Sequence, residues 1–455
     1  MAGRGDSAFL GHPAGLGWLS GSEFWERFSY YGMQALLVLY MTHHLLLPGH
    51  VENVWGFAAF RGLLESFYGP QSPAALASII FGLYAGLVYL TPLAGGLLAD
   101  RLTGRTAAVT IGALLMAAGH FLMAFEASFL LALSCLLIGV GCFKGNIAAQ
   151  VGDLYAEDDP RRADAFQIYY IFIQVAVIIS PLVCGTLGET VGWHWGFGAA
   201  GVGMLLGLAI YLFGRASLPK ERMKGGEVVR PPMTRRDVRA LVLLAFMLLP
   251  LALSLIGNQE IFNAYLIWAE KNYQTRFFGM TMPITWMLSL DAIVSTAMIA
   301  ASVAFWRWYG RRWAEPDEIT KITIGVGIAA IAPLTLAAAS MVVAATGQPV
   351  SLGWALAFHL LNDIGFSQVL PCGLALYSRA APKGLEGLMI AVYYLQFFLG
   401  NMLVGYVGTL YTAMPAVQFW LLHVALMAVA GVVMLAVRHF GGALLAPPYA
   451  PPQKP

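Results

Sequence analysis

Apolar stretches, each long enough to cross a bilayer, recur along the whole chain. A bilayer needs about 20 apolar residues per spanning helix, and only helices or closed barrels satisfy their backbone groups in lipid. The stretches here are too long and alternate too little for barrel strands. The chain has 59% hydrophobic and 11% charged residues, against about 25% charged residues in soluble domains. These features predict an all-α integral membrane protein and argue against a soluble enzyme.

Twelve such spans can be counted, and one hydrophilic connector of 25 residues, 215–239, divides them six and six. The spans are 18–47, 73–98, 106–125, 128–150, 163–188, 193–214, 240–271, 282–308, 319–345, 351–379, 386–412 and 416–438. The predicted parts are an N-terminal six-helix bundle (1–214), a cytoplasmic linker (215–239), a C-terminal six-helix bundle (240–440) and a Pro-rich tail (441–455).

Lysine and arginine fall almost entirely on one side of this arrangement. Of the 26 basic residues, 21 lie in alternate connectors and termini, three lie on the opposite side, and Arg27 and Lys144 remain in spans. Because basic residues mark the cytoplasmic side, both termini are predicted to be cytoplasmic. The compact loops favour a bacterial inner-membrane protein. A net charge of +2 without a basic stripe gives no reason to expect nucleic-acid binding.

Six spans, a basic linker and six more spans are typical of a transporter whose two halves rock around a midplane site. The segment GGLLADRLTGRT (95–106) follows the second span and resembles the conserved loop between helices 2 and 3 of the major facilitator superfamily. We expect close helix packing at Gly95 and Gly96. The predicted structural residues of this loop are Gly95, Asp100, Arg101, Gly104 and Arg105.

Charged residues within membrane spans mark candidate functional sites, because each costs at least about 2.5 kcal/mol on insertion scales. Here they are Glu23, Glu26, Arg27, Lys144, Glu260, Asp291 and Asp363. The first three share one helical stripe with Tyr30 and Gln34, since the spacing is i, i+3, i+4, i+7 and i+11. This stripe is predicted to face a polar cavity; the alternative is an anchor at headgroup level.

Lys144, in GVGCFKGN, has two interpretations. Its side chain either snorkels toward the cytoplasm or pairs with a buried carboxylate, for which Glu23 and Glu26 are the candidates. A Lys–Glu pair that breaks when the glutamate takes a proton would act as a switch. Such a switch would let a proton gradient drive a conformational cycle.

Five segments resemble one transporter family. EFWERFSYYG (23–32) matches in full the first-helix signature ExxERFxYYG of the proton-dependent oligopeptide transporters, a branch of the major facilitator superfamily. VGDLYAEDDPRRADAFQIYY (151–170) is similar to the family's passage from helix 4 to helix 5. GRRWAEPDEITKITIG (310–325) resembles its loop between helices 8 and 9. APKGLEGLM (381–389) with GNMLVG (400–405) resembles its helix 11.

The resemblance implies import of di- and tripeptides, or peptide-like solutes, together with protons. It implies that Arg27 and Lys144 hold the substrate carboxylate, and that Glu23, Glu26, Glu260 and Lys144 take part in proton coupling. It places Tyr30, Tyr31 and Tyr84 at the pocket wall. Protons would be the coupling ion, with no cofactor or metal.

Three positions depart from the family pattern. Gln34 stands where the family usually has an arginine facing the helix 7 glutamate. Gln174 replaces a helix 5 asparagine that contacts the peptide. The helix 10 pattern GELxxSPVGL is degraded to GFSQVLPCGL (365–374), so that its glutamate, which would bind the substrate amine, is Phe366. These departures leave the nature of the substrate open.

Two acidic residues are candidates to replace the missing glutamate. Asp363 lies about one helical turn before Phe366, and Asp291 replaces an asparagine of the family pattern SLNPLF. We expect one or both to receive the substrate amine. Alternatively, Asp363 caps a local helix break or pairs with His359 at i−4.

The sequence thus predicts a proton-coupled symporter for di- and tripeptides or related solutes. The alternative is a transporter of the same fold for a non-peptide amphiphilic solute or drug. The expected partners are a small peptide or peptide-like substrate, protons and the lipid bilayer, and the expected state is a monomer. His43 and His44 lie at the outer end of the first span, near His50, and are predicted to be interfacial residues.

Overall fold

The computed structural model describes residues 8–156, 159–219, 233–382 and 385–445. Helices predominate in these ranges, and one short antiparallel hairpin interrupts them. The helices are α1 Ala14–Tyr40, α2 Phe57–Tyr68, α3 Pro73–Leu98, α4 Arg105–Leu122, α5 Phe129–Asp153, α6 Arg161–Ser180, α7 Thr186–Thr190, α8 Trp193–Gly214, α9 Arg235–Ser254, α10 Ile256–Gln259, α11 Ala264–Asn272, α12 Trp286–Gly310, α13 Glu318–Thr346, α14 Gly353–Arg379, α15 Glu386–Thr409, α16 Ala416–Ala436 and α17 Gly442–Leu445. The strands are β1 Arg276–Phe277 and β2 Met280–Thr281.

Short helical turns of other types join several of these helices. Wider π-helical turns lie at Met41–Leu45, Ala99–Thr103, Pro181–Gly185 and Val437–Gly441. Tighter 3₁₀ turns lie at Val51–Asn53, Glu126–Ser128, Arg215–Ser217, Glu260–Phe262 and Leu410–Thr412.

Ten helical stretches in the described ranges are long and apolar enough to cross a membrane. The predicted all-α, multi-pass class is therefore confirmed. Two further helices, α1 and α14, have 27 residues each, or about 40 Å, but their polar and charged side chains lower their hydropathy. The total of twelve spans remains a prediction.

The connector between the first two predicted spans contains a helix that the sequence did not predict. Helix α2 lies between the first two spans and buries Phe57 and Leu64, two turns apart on one face. Gly56 and Gly69 flank it with positive φ angles of 75° and 71°, which glycine adopts without strain. The pattern of buried and exposed positions in α2 covers only 12 residues. A pattern this short is difficult to recognise in a sequence that is dominated by long apolar spans.

The predicted span 240–271 is broken into three helices. α9, α10 and α11 are separated at Leu255 and by the 3₁₀ turn Glu260–Phe262. Asn263, with φ −122° and ψ −117°, ends that turn outside helical geometry. The break places the Glu260 side chain at a point where backbone N–H groups are available to it.

Helix α9 begins inside the predicted linker. Thr234 caps it by accepting from the backbone N–H of Asp237, while the Asp237 carboxylate accepts from the backbone N–H of Thr234. This capping box satisfies two N-terminal donors, so the helix starts before its apolar run. Of the remaining linker, 220–232 lies outside the described residues, as does 446–455 of the predicted tail.

The described residues group into two compact units. The first contains α1 to α8 and the segment Arg276–Ala292; the second contains α9 to α11 and the chain from Ile293 onward. The limits predicted for the two six-helix bundles remain a prediction.

Helix α1 occupies the centre of the first unit and packs against α6 and α8. Gly32 makes the contact possible, because a Cβ there would lie 2.8 Å from Cys184 Cβ and 2.8 Å from Ser180 Oγ. The Ser29 hydroxyl donates to the Ala200 carbonyl at 2.7 Å. The buried face of α1 is therefore fixed on two sides.

Glu189 fixes the segment Arg276–Ala292 within the same unit. Its carboxylate accepts from the backbone N–H groups of Ile284 and Thr285 at 2.8 and 2.9 Å, and from the Thr285 hydroxyl at 2.6 Å. These donors lie just before α12. The carboxylate satisfies N–H groups that a helix start leaves without intrahelical partners.

In the second unit, α13 packs against α14 and α16, and α9 packs against α15 and α16. Two buried tyrosines link helices through backbone carbonyls. The Tyr377 hydroxyl donates to Leu244 at 2.6 Å, and the Tyr393 hydroxyl donates to Val369 at 2.9 Å. Both hydroxyls are satisfied, as buried polar groups require.

Candidate functional site

A buried cluster of three charged side chains lies in α1. Glu23, Glu26 and Arg27 are 3%, 0% and 4% exposed. Arg27 Nε lies 3.1 Å from Glu23 Oε1, Arg27 Nη2 donates to Glu26 Oε1 at 2.8 Å, and Nε also pairs with Glu26 Oε2. Side chains this deeply enclosed by protein do not fit the alternative of a headgroup anchor.

The cluster follows from the helical spacing of the sequence. Glu23 lies one turn before Arg27, so a guanidinium reaches it along the helix, and adjacent Glu26 supplies the second carboxylate. A guanidinium presents several donors in one plane and can serve both oxygens of a carboxylate. One cation thus compensates two buried anions, and the three side chains together carry one net negative charge.

Lys144 supplies a second cation but does not form the predicted pair. Among the described residues, its ammonium lies over the Tyr89 ring, 4.8 Å from the centroid, and forms no ion pair with Glu23 or Glu26. It remains within electrostatic range of both. Arg27, on the same helix as the glutamates, instead pairs with both oxygens of Glu26 and with one oxygen of Glu23.

Polar groups around the cluster are only partly hydrogen-bonded. Tyr30 packs edge-on against Tyr31, with centroids 5.2 Å apart, and Arg27 lies 5.4 Å from the Tyr30 centroid. Within the described part of the chain, the buried Tyr84 hydroxyl and Gln34 Oε1 have no hydrogen-bond partner. Buried polar atoms usually have one, so these two offer hydrogen bonds to a polar solute.

Gln174 and Asp291 complete the predicted residues of the first unit. Gln174 lies on α6 and Asp291 lies near the start of α12; both are half-buried. Ser289, two residues before Asp291, donates to the Ile178 carbonyl of α6 at 2.7 Å. This bond holds the start of α12 against α6.

Glu260 is the buried acid of the helix break in the second unit. It is 1% exposed. Its Oε1 accepts from the Asn263 amide at 3.0 Å and from the backbone N–H of Ala264 at 3.1 Å. Its Oε2 lies 3.5 Å from Nε2 of His423 on α16. The side chain is thus held on both oxygens by residues of its own unit.

Asp363 is fully buried on α14. Its Oδ1 accepts from the Asn362 amide at 3.2 Å, and a ring nitrogen of His359 lies within 4.8 Å of a carboxylate oxygen. The His359 Nε2 is 3.0 Å from the Tyr265 hydroxyl. Both sequence interpretations of Asp363, as a binding group and as a neighbour of His359, remain open.

The predicted loop motif forms a packed and charge-paired corner. A Cβ on Gly95 would collide with the Gly141 carbonyl of α5, so the expected close packing is present there, whereas Gly96 faces open space. Gly104 turns the chain with a φ of 75°. Arg105 Nε lies 3.8 Å from Asp100, and Arg105 Nη1 pairs with Asp153. Arg101 lies in the π-helical turn Ala99–Thr103.

Several residues that line these groups were not predicted from sequence. The Tyr89 ring contacts the Lys144 ammonium. Because Tyr89 lies only five residues after Tyr84, its aromatic side chain could have been recognised in the sequence as a candidate site residue. His423 gave no such signal, because a single histidine in an apolar helix usually belongs to the core. Glu126 meets His44 and His50 at 2.8 and 2.7 Å, across a separation that spacing cannot reveal.

Comparisons with known proteins agree with this architecture. A sequence model of the POT family matches residues 106–233 and 221–425. The peptide transporter YePEPT of Yersinia enterocolitica is 28% identical over 89% of each chain. A di-/tripeptide transporter of Lactococcus lactis is 26% identical over 95% of this chain and 96% of that one.

Solved structures share the fold. A crystal structure of peptide transporter POT in complex with sulfate has a TM-score of 0.83 at 24% identity, covering 96% of this chain and 97% of that one. A POT family transporter in complex with 5-aminolevulinic acid has a TM-score of 0.77 at 22% identity, covering 96% and 98%.

Proposed function

Because the chain belongs to the POT family, we propose that it is a proton-coupled symporter that imports di- and tripeptides or peptide-like solutes by alternating access. The related proteins of Yersinia and Lactococcus are a peptide transporter and a di-/tripeptide transporter. Family membership makes the chain a transporter and not an enzyme. Protons serve as the coupling ion, and no cofactor takes part.

The buried cluster of α1 is the observation that carries this proposal. Arg27 lies within bonding distance of both Glu23 and Glu26, and all three side chains are buried. Lys144 lies within electrostatic range of them. Charges are retained in such surroundings at a high desolvation cost, which fits a group whose charge state changes during a transport cycle.

Coupling follows from competition for one guanidinium. Arg27 donates to Glu26 while that carboxylate is ionised. A proton arriving from outside neutralises Glu26 and weakens this pair. Arg27 can then donate hydrogen bonds to the carboxylate of a substrate. Lys144 supplies the second positive charge for the same carboxylate. When the substrate leaves to the cytoplasm, Glu26 releases its proton to the cytoplasm and re-forms the pair.

The other side chains of the first unit shape the pocket and tune the cluster. Glu23 shares Arg27 with Glu26 and takes part in proton coupling. Tyr30, Tyr31 and Tyr84 provide aromatic wall, which accepts varied peptide side chains by stacking and hydrogen bonding. Gln34 and Gln174 add amide groups to this wall. In the second unit, Glu260 is a further proton-coupling group.

Asp291, Asp363 or both receive the substrate's amino group in place of the glutamate that Phe366 replaces. Uptake by the double variant Asp291→Asn/Asp363→Asn tests this role, and dipeptide uptake should fall while the protein still folds. Asp317→Asn is the matched control, because this exposed residue caps α13 and asparagine caps equally well. Unchanged uptake by the double variant contradicts the assignment.

A non-peptide amphiphilic solute or drug is the second candidate substrate. The departures at Gln34, Gln174 and Phe366 favour it, because each lies where the family resemblance implies a contact with the peptide or its coupling residue. This candidate keeps the fold and the proton coupling and changes the occupant of the pocket.

The chain works as a monomer in a bacterial inner membrane, with both termini in the cytoplasm. The 21-to-3 distribution of basic residues supports this orientation.

Uptake by proteoliposomes with an imposed proton gradient tests the proposal. Labelled dipeptides should accumulate in the proteoliposomes. Analogues with a blocked amine or carboxylate should inhibit this uptake less than unmodified dipeptides do. Glu26→Gln should abolish gradient-driven accumulation but keep exchange of labelled for unlabelled peptide, since the proton site is lost while Arg27 and Lys144 remain. If no peptide competes and an amphiphilic solute does, the second candidate is correct. If peptide accumulation does not depend on the proton gradient, proton coupling is contradicted.

A further inference from the structure

Glu260 faces a fully buried histidine that no sequence pattern assigns. His423 is 0% exposed and Glu260 is 1% exposed. Nε2 of His423 lies 3.5 Å from Glu260 Oε2, and Nδ1 lies 2.9 Å from the Phe419 carbonyl oxygen one turn earlier in α16. Both ring nitrogens therefore have defined neighbours.

These neighbours fix the number of protons that the pair can hold. A carbonyl oxygen only accepts hydrogen bonds, so Nδ1 carries a hydrogen and Nε2 points at the carboxylate. If Glu260 were ionised and His423 neutral, a ring lone pair would face an oxygen lone pair. One added proton removes this repulsion, either on Nε2 as an imidazolium–carboxylate pair or on Oε2 as a carboxylic acid that donates to the ring.

We propose that Glu260 and His423 form a two-residue proton site that holds one shared proton in the second unit, with His423 positioning the proton on Glu260. This inference rests on the proposed proton coupling. It also addresses the departure at Gln34: the family resemblance implies an arginine partner for the glutamate, and here the side chain that faces the carboxylate is His423, from the glutamate's own unit.

Packed aromatic rings and hydrogen bonds restrict the movement of Glu260 and His423, and both side chains are enclosed by protein. The rings of Phe419 and Trp420 pack on His423 with centroids 4.5 and 5.2 Å away. Asn263 and Ala264 hold the other oxygen of Glu260. The imidazole cannot turn away from Glu260 without breaking its hydrogen bond to the Phe419 carbonyl.

Other titratable groups of the packed helices have separate neighbours. His359 on α14 contacts the Tyr265 hydroxyl of α11 at 3.0 Å. Asp363, also on α14, accepts from Asn362. Tyr411 packs on Phe419 with a centroid distance of 5.3 Å. Glu260 and His423 are therefore an acid and a base that face each other inside this unit, while the neighbouring acid Asp363 lies within 4.8 Å of His359.

Uptake by His423→Gln tests the inference, since glutamine is polar but holds no proton. We expect gradient-driven accumulation to fall about 100-fold, the lower range for a positioned proton-transfer group. The dependence on external pH should flatten, and exchange of labelled for unlabelled peptide should persist. Because the two side chains act as one device, Glu260→Gln/His423→Gln should lose no more than either single variant.

The matched control is His120→Gln, which changes another buried histidine, 1% exposed, on α4 of the first unit. It should leave the pH profile unchanged. Calorimetry in two buffers of different ionisation enthalpy should show fewer protons bound per substrate for His423→Gln than for the wild type. A wild-type proton count and pH profile in that variant would overturn the inference.

A failure here is distinguishable from failure of the proposed function. If the wild type carries no peptide, infrared spectra of the unliganded protein still report whether the pair holds a proton, by comparison with Glu260→Gln. If the wild type carries peptide with protons and His423→Gln does the same, only the two-residue site is wrong.

A second, independent observation concerns the first unit. His44, His50 and Glu126 each offer a ligand atom, and these three atoms lie within 4.8 Å of one another. His44 Nε2 and His50 Nδ1 both meet Glu126 Oε1, at 2.8 and 2.7 Å. Two imidazoles and one carboxylate are a ligand set that proteins use for zinc.

Neighbouring groups orient the three ligands. The Asn53 amide donates to Glu126 Oε2 at 3.0 Å, and the Tyr40 ring stacks on His44 with centroids 5.6 Å apart. Supporting contacts of this kind fix ligand orientation and raise metal affinity. We infer that these three side chains bind a divalent transition-metal ion such as Zn²⁺ through one ring nitrogen of each neutral imidazole, whose hydrogen then sits on the other ring nitrogen, and one carboxylate oxygen of Glu126.

Zinc and cobalt binding to the purified, tag-free protein tests this site. Saturating Zn²⁺ should raise the melting temperature, and Co²⁺ should give ligand-field absorption. His44→Gln and Glu126→Gln should each weaken binding about 100-fold. His43→Gln is the matched control, because it makes the same change at the exposed neighbouring position. Equal affinity in all four proteins would refute the site.

Discussion

Replacing Arg27 by methionine should destabilise the first unit severely. The substitution keeps a long side chain but leaves Glu23 and Glu26, 3% and 0% exposed, without the cation that bonds both. Removing one partner of a buried ion pair costs about 3–5 kcal/mol. At roughly 2–4 °C per kcal/mol for a bundle of this size, the melting temperature should fall by about 6–20 °C.

Fluorescence-monitored thermal unfolding in detergent measures this change, and a double variant isolates its cause. Glu26→Gln/Arg27→Met removes one negative and one positive charge, so Lys144 again balances the remaining Glu23. Replacing a buried pair by neutral groups is often without penalty, so the double variant should recover most of the lost stability. It should not recover transport, because the carboxylate anchor is gone. If the double variant melts as low as Arg27→Met, lost packing and not unbalanced charge is responsible, and the reasoning is wrong.

Three further predictions concern the framework around the site. Gly95→Val should lower the free energy of unfolding by about 1–3 kcal/mol or more, because its side chain meets a backbone carbonyl of α5; Gly96→Val, which faces open space, should be near neutral in the same thermal assay. Glu189→Gln should destabilise the start of α12 by about 1–3 kcal/mol, seen as faster amide exchange there, and unchanged exchange would contradict the assigned clamp. Hydrogen bonds from Arg61 hold the pKa of Glu65 below its usual value, so this pair stabilises α2 above the unfolded pKa of about 4.3. That protection should be lost as pH falls through the depressed pKa, and Arg61→Gln should remove the pH dependence of amide exchange in α2.

The membrane class and the α1 cluster were predictable because both depend on local sequence. Apolar length and basic-residue asymmetry report directly on bilayer thickness and orientation. Helical periodicity places Glu23, Glu26 and Arg27 on one stripe without any tertiary information. Family motifs then assigned the fold along nearly the whole chain.

What sequence could not give depends on side-chain geometry between distant segments. The position of Lys144 in an apolar span indicated either snorkelling or a carboxylate partner, but not that Arg27 would pair with both glutamates while Lys144 lay over the Tyr89 ring. The helix break that follows Glu260 depends on the backbone at Asn263, whose departure from helical angles has no strong sequence signal. The contact between His423 and Glu260 joins residues 163 positions apart, so the sequence alone did not indicate a role for His423.

Charge balance explains why such a cluster favours symport. With both glutamates ionised, Arg27 and Lys144 make the four-residue cluster neutral, and so does the joint addition of one proton and one substrate carboxylate. A proton alone or a carboxylate alone leaves one unbalanced charge, which costs several kcal/mol when water is excluded. The pocket can therefore close when it is empty or when it holds both, and these are the two states in which a symporter must cross the membrane.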